Sequence, residues 1–313
     1  MIDITKERIL ITGGNGFLGK FLQKELFNIG IIKENLLLPK HQDYDLTNGN
    51  DVIKMYKDMK PDIVIHLAAQ VGGIGANQEN PGRFFYSNMA MGLHLIENAR
   101  LNNVKKFVQV GTICAYPKFT PVPFKEEDLW NGYPEETNAP YGIAKKALLV
   151  MLQGYRKQYN FNGIYLLPVN LYGPGDNFDP KSSHVIPALI RKFFEAIGEG
   201  KKEVVIWGDG SPSREFLYVE DAADAIFKAT QYYDNSEPIN IGIGSEIRIR
   251  DLVEKIKLYT GFKGEVIWDT SKLNGQPRRC LDTTKAKQLF GFEAKTCLDE
   301  GLERTISWYK DNI

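Results

Sequence analysis

An apolar run, Ile9-Leu10-Ile11-Thr12, passes directly into Gly13-Gly14-Asn15-Gly16-Phe17-Leu18-Gly19 and then into a helix-compatible stretch. Few folds accept that junction. Gly13 permits a tight turn after a strand, Gly16 lets the backbone approach a pyrophosphate, and Gly19 lets the helix pack closely on the strand. The helix then points its unpaired N–H groups at the phosphates. A glycine-rich turn alone is weak support; placed after the first strand of an alternating chain it is strong. Gly13, Gly16, Phe17, Leu18 and Gly19 are therefore the expected contacts to a dinucleotide.

The chain does alternate. Short apolar runs at residues 8–12, 36–38, 63–66, 106–111 and 164–168 are separated by amphipathic stretches at 16–29, 48–59, 82–101 and 141–158. This rhythm predicts an α/β fold, a Rossmann-type doubly wound parallel sheet with helices on both faces. Beyond residue 171 the rhythm breaks at Tyr172-Gly173-Pro174-Gly175-Asp176-Asn177. Helices are expected at 184–198, at 250–259 and near the C-terminus, with a strand at 204–207. Residues 1–171 read as the cofactor-binding domain. Residues 172–313 read mainly as a smaller mixed α/β lobe that binds substrate, with some chain returning to the first sheet.

Composition narrows the partners. Lys plus Arg and Asp plus Glu are balanced at 39 each, so bulk charge gives no case for nucleic acid or an anionic membrane. No apolar run approaches the roughly 20 residues that span a bilayer. The polar start, Met1-Ile2-Asp3-Ile4-Thr5-Lys6-Glu7-Arg8, reads as neither signal peptide nor anchor. Cys114, Cys280 and Cys297 are too scattered for a disulfide framework, so a cytoplasmic protein is expected. No His/Cys/Asp cluster has metal-ligand spacing, and no metal is expected.

Cofactor choice rests on the end of the second strand. Pro39-Lys40-His41-Gln42 carries no acid there to hold a ribose, and Lys40 or His41 would suit a 2′-phosphate, favouring NADPH. A shift of one residue in register would bring Asp43 into play instead, which keeps NAD open.

Tyr141 is followed at i+4 by Lys145, on one face of a helix that starts after Pro140. An ammonium there would lower a tyrosine pKa that is ordinarily about 10. Such a tyrosine exchanges a proton with the oxygen of a carbonyl undergoing reduction. Spacing alone decides little: with 15 tyrosines and 28 lysines, chance gives about one such pair, and Tyr56/Lys60 and Tyr259/Lys263 share it. Order along the chain favours Tyr141. The segment Gly111-Thr112-Ile113-Cys114-Ala115-Tyr116-Pro117-Lys118 follows a core strand, where α/β folds bind ligands, so Thr112 would lie beside Tyr141.

These segments resemble the extended short-chain dehydrogenase/reductase family over essentially the whole chain. The resemblance is also carried by Val71-Gly72-Gly73-Ile74-Gly75-Ala76-Asn77, Asn170-Leu171-Tyr172-Gly173-Pro174, Ser183-His184-Val185-Ile186-Pro187-Ala188-Leu189, Trp207-Gly208, Arg214-Glu215-Phe216-Leu217 and Gly275-Gln276-Pro277-Arg278-Arg279. Within the family the likeness is to enzymes that epimerise a GDP-4-keto-6-deoxy-sugar at C3 and C5 and reduce it at C4. The spacing Gly-x-x-Gly-x-x-Gly is that group's variant of the dinucleotide turn.

The resemblance implies roles residue by residue. Thr112, Tyr141 and Lys145 would carry the reduction, with Lys145 also holding the ribose of NADPH. Cys114 would be the base and His184 the acid of the epimerisations. Asn170, Lys192, Trp207, Arg214 and Arg278 would contact the nucleotide sugar, the two arginines and Lys192 nearest its diphosphate. The helices at 82–101 and 141–158 would pair across a homodimer. Two departures stand out. Thr112 occupies a position where the family has serine, and the glycine loop lacks the basic residue with which many members hold NADPH.

The chemistry explains the pairing of a thiol with an imidazole. A ketone at C4 acidifies the C–H bonds at C3 and C5, and inverting either carbon needs a base on one face and an acid on the other. Taken singly, Cys114 is more often a small buried residue, His184 a helix-cap neighbour, Trp207 a core residue and each arginine half of a surface ion pair. For Cys114 and His184 the joint pattern reverses those odds. Competing readings are a reductase of a related GDP-4-keto-sugar (dideoxy or heptose), a UDP-sugar 4-epimerase that recycles NAD, and a redox-sensing regulator on a degenerate reductase fold. A 4-epimerase needs no acid–base pair for C3 and C5, and a regulator needs no intact Thr112/Tyr141/Lys145 set.

Overall fold

The apolar runs of the first half become strands because both of their faces are covered. A computed structural model describes residues 2–272 and 274–312. Strands β1 (Ile9–Thr12), β2 (Leu36–Leu37), β3 (Ile63–His66), β4 (Lys106–Val110) and β5 (Gly163–Pro168) lie within a residue or two of the expected positions. β1, β3 and β4 are buried along their whole length, the pattern of parallel strands sandwiched between helices. The helices among them are α1 (Phe17–Asn28), α2 (Gly49–Met59), α3 (Ile74–Glu79), α4 (Pro81–Leu101) and α5 (Ala139–Tyr159). Pro81 and Pro140 sit in the first turns of α4 and α5, where a missing N–H costs nothing.

The later chain supplies strands β6 (Asn170–Tyr172), β7 (Glu203–Trp207), β8 (Ser213–Arg214), β9 (Phe216–Tyr218), β10 (Pro238–Ile241), β11 (Ile247–Arg248) and β12 (Glu265–Asp269). Its helices are α6 (Val185–Gly198), α7 (Val219–Tyr232), α8 (Ile249–Thr260), α9 (Thr284–Phe290) and α10 (Leu298–Asp311). The main sheet runs β2-β1-β3-β4-β5-β10, and every pairing in it is parallel. Strand order reverses at β1, which opens a crevice at the carboxyl ends of β1 and β3.

Two apolar cores result. The larger joins the six-stranded sheet with its helices and includes Ala222, Ile226, Ile239, Ile241 and Phe290 from the later chain. The smaller gathers Ile190, Phe193, Ile206, Phe216, Ile256 and Leu302 from α6, β7, β9, α8 and α10. α4 and α5 pack side by side, and Gly92 is what lets Leu148 in, since a Cβ there would sit 2.6 Å from a Leu148 methyl. Among the described residues no helix is long and apolar enough to cross a membrane.

Candidate active site

The first βα turn is built to admit a polyanion. Gly13 has φ +71°, and a Cβ there would lie 2.9 Å from the Ala68 backbone nitrogen. At Gly14 an added Cβ would meet Leu38 at 2.5 Å, and at Gly19 it would meet the Gly13 carbonyl at 2.5 Å. Side chains are thus excluded on three sides of the turn. Gly16 is the N-cap of α1 and offers no side-chain acceptor, so the first helical N–H groups, from Phe17 onward, remain for a ligand. This uncapped, side-chain-free cradle fits a dinucleotide pyrophosphate. After β2 the chain turns at Lys40, whose carbonyl accepts from the N–H groups of Asp43 and Tyr44. Lys40, His41 and Asp43 are all exposed on that turn, with no acid at the strand end itself.

At the carboxyl end of β4 the chain enters a short 3-10 turn, Ile113–Ala115, capped by Thr112: its hydroxyl accepts from Cys114 N–H at 3.2 Å. The first turn of α5 packs against this segment at Gly142, where an added Cβ would lie 2.9 Å from the Cys114 carbonyl carbon. Tyr141 is brought to the same place, 7% exposed, with the Thr112 hydroxyl near enough to act on its phenol. Burial raises the Tyr141 pKa above its ordinary value; the Cys114 sulfur adds to this and the Thr112 hydroxyl opposes it.

Lys145 departs from expectation. Its Nζ donates to the Val110 carbonyl at 3.1 Å, and burial lowers its pKa to about 8. The expected lowering of the Tyr141 pKa by this ammonium is therefore not what the structure shows. A carbonyl at the end of β4 has captured the lysine, and burial dominates the phenol. His66, at the end of β3, is fully buried with its Nδ1 2.7 Å from Thr12 Oγ1 and its Nε2 unpartnered. Burial and the charge of Lys145 hold it neutral.

The other two Tyr/Lys pairs do ordinary work. Tyr56 is fully buried and donates to the Leu95 carbonyl at 2.8 Å, and Tyr259 donates to Asp299 on α10 at 2.9 Å.

Cys114 is half-buried, and the Arg279 guanidinium donates to its Sγ at 3.4 Å. Arg214, 9% exposed on β8, donates to the Ser213 carbonyl at 2.7 Å. Burial, then the neighbouring charge of Arg279, lower the Arg214 pKa to about 9, with Cys114 and Glu135 pulling the other way. One buried guanidinium thus bonds the thiol, and a second lies near enough for its charge to act on it. Arg278, expected at the diphosphate, instead turns outward, its Nε donating to Glu246 at 3.0 Å on the surface. Arg279 is the inward-facing residue that sequence reasoning missed.

The remaining residues divide between the lobes. His184 is the N-cap of α6, and burial lowers its pKa. The loop before it packs on the glycines after β3: Gly73 N–H meets the Ser182 carbonyl at 3.4 Å, and a Cβ on Gly73 would lie 2.8 Å from the Ser183 carbonyl. Asn170 opens β6, its amide donating to the Glu215 carbonyl at 3.2 Å. Trp207 is 59% exposed, so it is no core residue, and Lys192 and Lys272 lie 5.9 and 5.5 Å from its ring centroid. Lys192 also donates to the Val205 carbonyl at 3.1 Å. Among the described residues no His/Cys/Asp/Glu group has metal-binding geometry.

Comparison with known proteins places this geometry among its relatives. Residues 9–242 match the NAD dependent epimerase/dehydratase family. GDP-L-fucose synthase 1 of Arabidopsis thaliana is 42% identical over 306 residues, covering 98% of this chain and 94% of that protein. The crystal structure of a GDP-6-OMe-4-keto-L-xylo-heptose reductase from C. jejuni superposes with a TM-score of 0.92 at 33% identity, covering 99% of each chain. A GDP-L-fucose synthetase from Naegleria fowleri bound to NADP superposes with a TM-score of 0.89 at 28% identity, covering 98% of this chain and 95% of that one.

Proposed function

Since the chain belongs to the NAD dependent epimerase/dehydratase family, we propose that it is an NADPH-dependent enzyme converting GDP-4-keto-6-deoxy-D-mannose to GDP-L-fucose. The observation that carries this reading is the gathering of Thr112, Tyr141 and Cys114 at the end of β4 beside an uncapped dinucleotide cradle. Its likeness to GDP-L-fucose synthases supports it.

The Cys114 thiolate takes a proton from C3, forming an S–H bond while the C–H electron pair moves into the C4 carbonyl as an enolate. His184 returns a proton to the opposite face, inverting the carbon. The thiol then loses its proton to solvent and His184 regains one before the same step is repeated at C5. A dinucleotide held by its pyrophosphate in the cradle would supply hydride for C4. Tyr141 gives its proton to the C4 oxygen, and the Thr112 hydroxyl, close to Tyr141, steadies the charge that develops there. Lys145 holds the ribose. Arg214 meets the diphosphate with a fork of donors, while Trp207, Lys192 and Asn170 flank the nucleotide sugar. In the same reading the protein is cytoplasmic, and NADPH is preferred because Lys40 and His41 stand where an acid would select NADH.

The exposed Phe85, Tyr86, Leu93 and Val150 on the outer faces of α4 and α5 support a homodimer through those helices, which light scattering would report as a doubled mass. The likeness to the heptose reductase supports one second reading, the same chemistry on a GDP-4-keto-heptose. The test is direct: purified protein is given GDP-4-keto-6-deoxy-D-mannose with NADPH or NADH, and the product is run against GDP-L-fucose. Faster NADPH oxidation with co-eluting product supports the proposal. Turnover of a GDP-4-keto-heptose alone would replace the substrate, and no NADPH oxidation with either sugar would refute the reading.

A further inference from the structure

Arg278 and Arg279 are adjacent, yet the chain uses them in opposite ways. Arg278 reaches outward to Glu246. Arg279 is 6% exposed, with its guanidinium divided between two partners: Nε donates to Gln276 Oε1 at 2.8 Å and Nη1 donates to Cys114 Sγ at 3.4 Å. Gln276 is itself 2% exposed, and its amide donates to the Lys118 carbonyl at 2.9 Å and the Pro117 carbonyl at 3.3 Å. The segment that carries the thiol, 112–118, is therefore clamped to the segment that carries the arginine. On its other side the arginine's segment is tied down by Phe124 N–H, which donates to the Cys280 carbonyl at 2.8 Å, and by Leu281 N–H, which donates to Glu215 at 2.6 Å.

A planar guanidinium held at both ends by such bonds has little freedom to swing toward a phosphate. The two buried arginines differ in this respect. Arg214 bonds only to carbonyl oxygens, Ser213 at 2.7 Å and Asn274 at 3.4 Å, and leaves its charge for an anionic ligand. Arg279 spends a donor on sulfur. We propose that Arg279, gripped by Gln276, is the positioning residue that aims the Cys114 sulfur at the substrate carbons and supports its negative charge while it acts as base.

The inference rests on the epimerase/reductase reading above and deepens it. In that reading the thiolate removes the C–H proton, the electron pair passes to the C4 oxygen, and His184 supplies the returning proton. Arg279 enters only this half of the reaction, through the sulfur. Hydride transfer to C4 and proton transfer from Tyr141 do not involve it. Among the described residues Arg279 bonds the sulfur, and Arg214 from β8 and Tyr141 from α5 lie near enough for its charge to act on them. Glu135 lies close to Arg279, but its carboxylate is occupied by Thr137 and Asn138, each at 2.6 Å.

The experiment measures deuterium wash-in at C3 and C5 of GDP-4-keto-6-deoxy-D-mannose in deuterated water without NADPH, for wild type, Arg279→Met, Arg279→Lys and Gln276→Leu. NADP binding to each variant reports folding. A loss of sub-ångström aim costs roughly 10²-fold in rate. Arg279→Met is expected to lose about that much in the exchange kcat with KM for the sugar nucleotide little changed. Arg279→Lys, which keeps a charged donor, recovers part of the loss. Gln276→Leu falls between wild type and Arg279→Met.

If Arg279→Met raises KM and leaves kcat intact, Arg279 is a substrate anchor and the inference is overturned while the epimerase/reductase reading stands. Exchange at the wild-type rate in Arg279→Met overturns it equally. If Arg279→Met does not bind NADP, Arg279→Lys and Gln276→Leu decide: wild-type exchange in Gln276→Leu, or no activity above background in both, goes against the inference. Wild-type protein that exchanges neither carbon would bring down the epimerase reading and this inference with it.

Discussion

Replacing Glu215 with glutamine should unsettle both the fold and the epimerisation, because one carboxylate ties three segments together. Glu215 is fully buried. Its Oε1 accepts the N–H groups of Ile243 and Gly244 at 2.6 Å each, and its Oε2 accepts Leu281 N–H at 2.6 Å. Gly242 leaves no room for adjustment, since a Cβ there would fall 3.0 Å from the Glu215 carboxyl carbon. A glutamine has one oxygen and one NH2 in place of two oxygens. Whichever way the amide is turned, at least one buried N–H faces another donor, and such an unsatisfied group costs about 1–3 kcal/mol. With an unfolding entropy of ~2.1 cal/mol/K per residue, the midpoint of a chain this long should fall by about 2–5 °C. Leu281 lies two positions beyond Arg279, so its release should also loosen the guanidinium on Cys114. The assay pairs a melting curve with deuterium exchange at C3 and C5, and NADP affinity serves as the control. A Glu215→Gln protein with wild-type melting temperature and wild-type exchange would show that this carboxylate does not hold the site, and the reasoning would be wrong.

Other expectations follow from the same geometry. Tyr141→Phe removes the proton donor and should lower C4 reduction by about 10²–10⁴-fold while exchange at C3 and C5 continues; parallel loss of both would mean that Tyr141 is no dedicated reductase residue. Gly19→Ala drives a methyl group into the carbonyls of Gly13 and Gly14, and should destabilise the fold by about 1–3 kcal/mol and abolish NADP binding, measured by calorimetry. Lys145 titrates at about 8 in the free protein, so above that pH it is neutral and loses its electrostatic hold on the cofactor. NADPH affinity should therefore fall as pH rises through about 8, with proton uptake on binding in that range. Its folded pKa lies below the unfolded value, so the lysine's own contribution to stability rises with pH from about 8 toward its ordinary value. A flat affinity profile across that window would contradict the assignment.

Much of this was legible in the sequence because parallel strands buried on both faces are predominantly apolar. Ile9–Thr12, Ile63–His66 and Lys106–Val110 announce themselves for that reason. β10 did not: it is four residues long, begins with proline and contains Asn240, whose amide donates to the Phe124 carbonyl at 2.9 Å rather than facing solvent. β6, β8, β9 and β11 are two or three residues each and carry no period to detect.

At the site, chain order was enough to associate Thr112, Cys114 and Tyr141, because residues just beyond parallel strands collect at one edge of the sheet. Sequence was not enough to choose between Arg278 and Arg279. They lie in an irregular segment where no helical or strand repeat says which side chain turns inward, and the deciding contacts, Glu246 for one and Cys114 for the other, are remote in the chain. The i+4 relation of Lys145 to Tyr141 correctly placed both on one helix, but not the Val110 carbonyl that captures the ammonium. Helical spacing states which groups are neighbours; it does not state what else competes for them.

The most direct test of the central claim is a single NMR measurement of the product formed from GDP-4-keto-6-deoxy-D-mannose and NADPH in deuterated water. GDP-L-fucose bearing deuterium at both C3 and C5 is the predicted result, since each proton must leave through Cys114 and be replaced from solvent before reduction at C4. A reduced sugar without label, keeping the substrate's configuration at C3 and C5, would make the protein a plain 4-reductase and contradict the epimerising role given to Cys114 and His184.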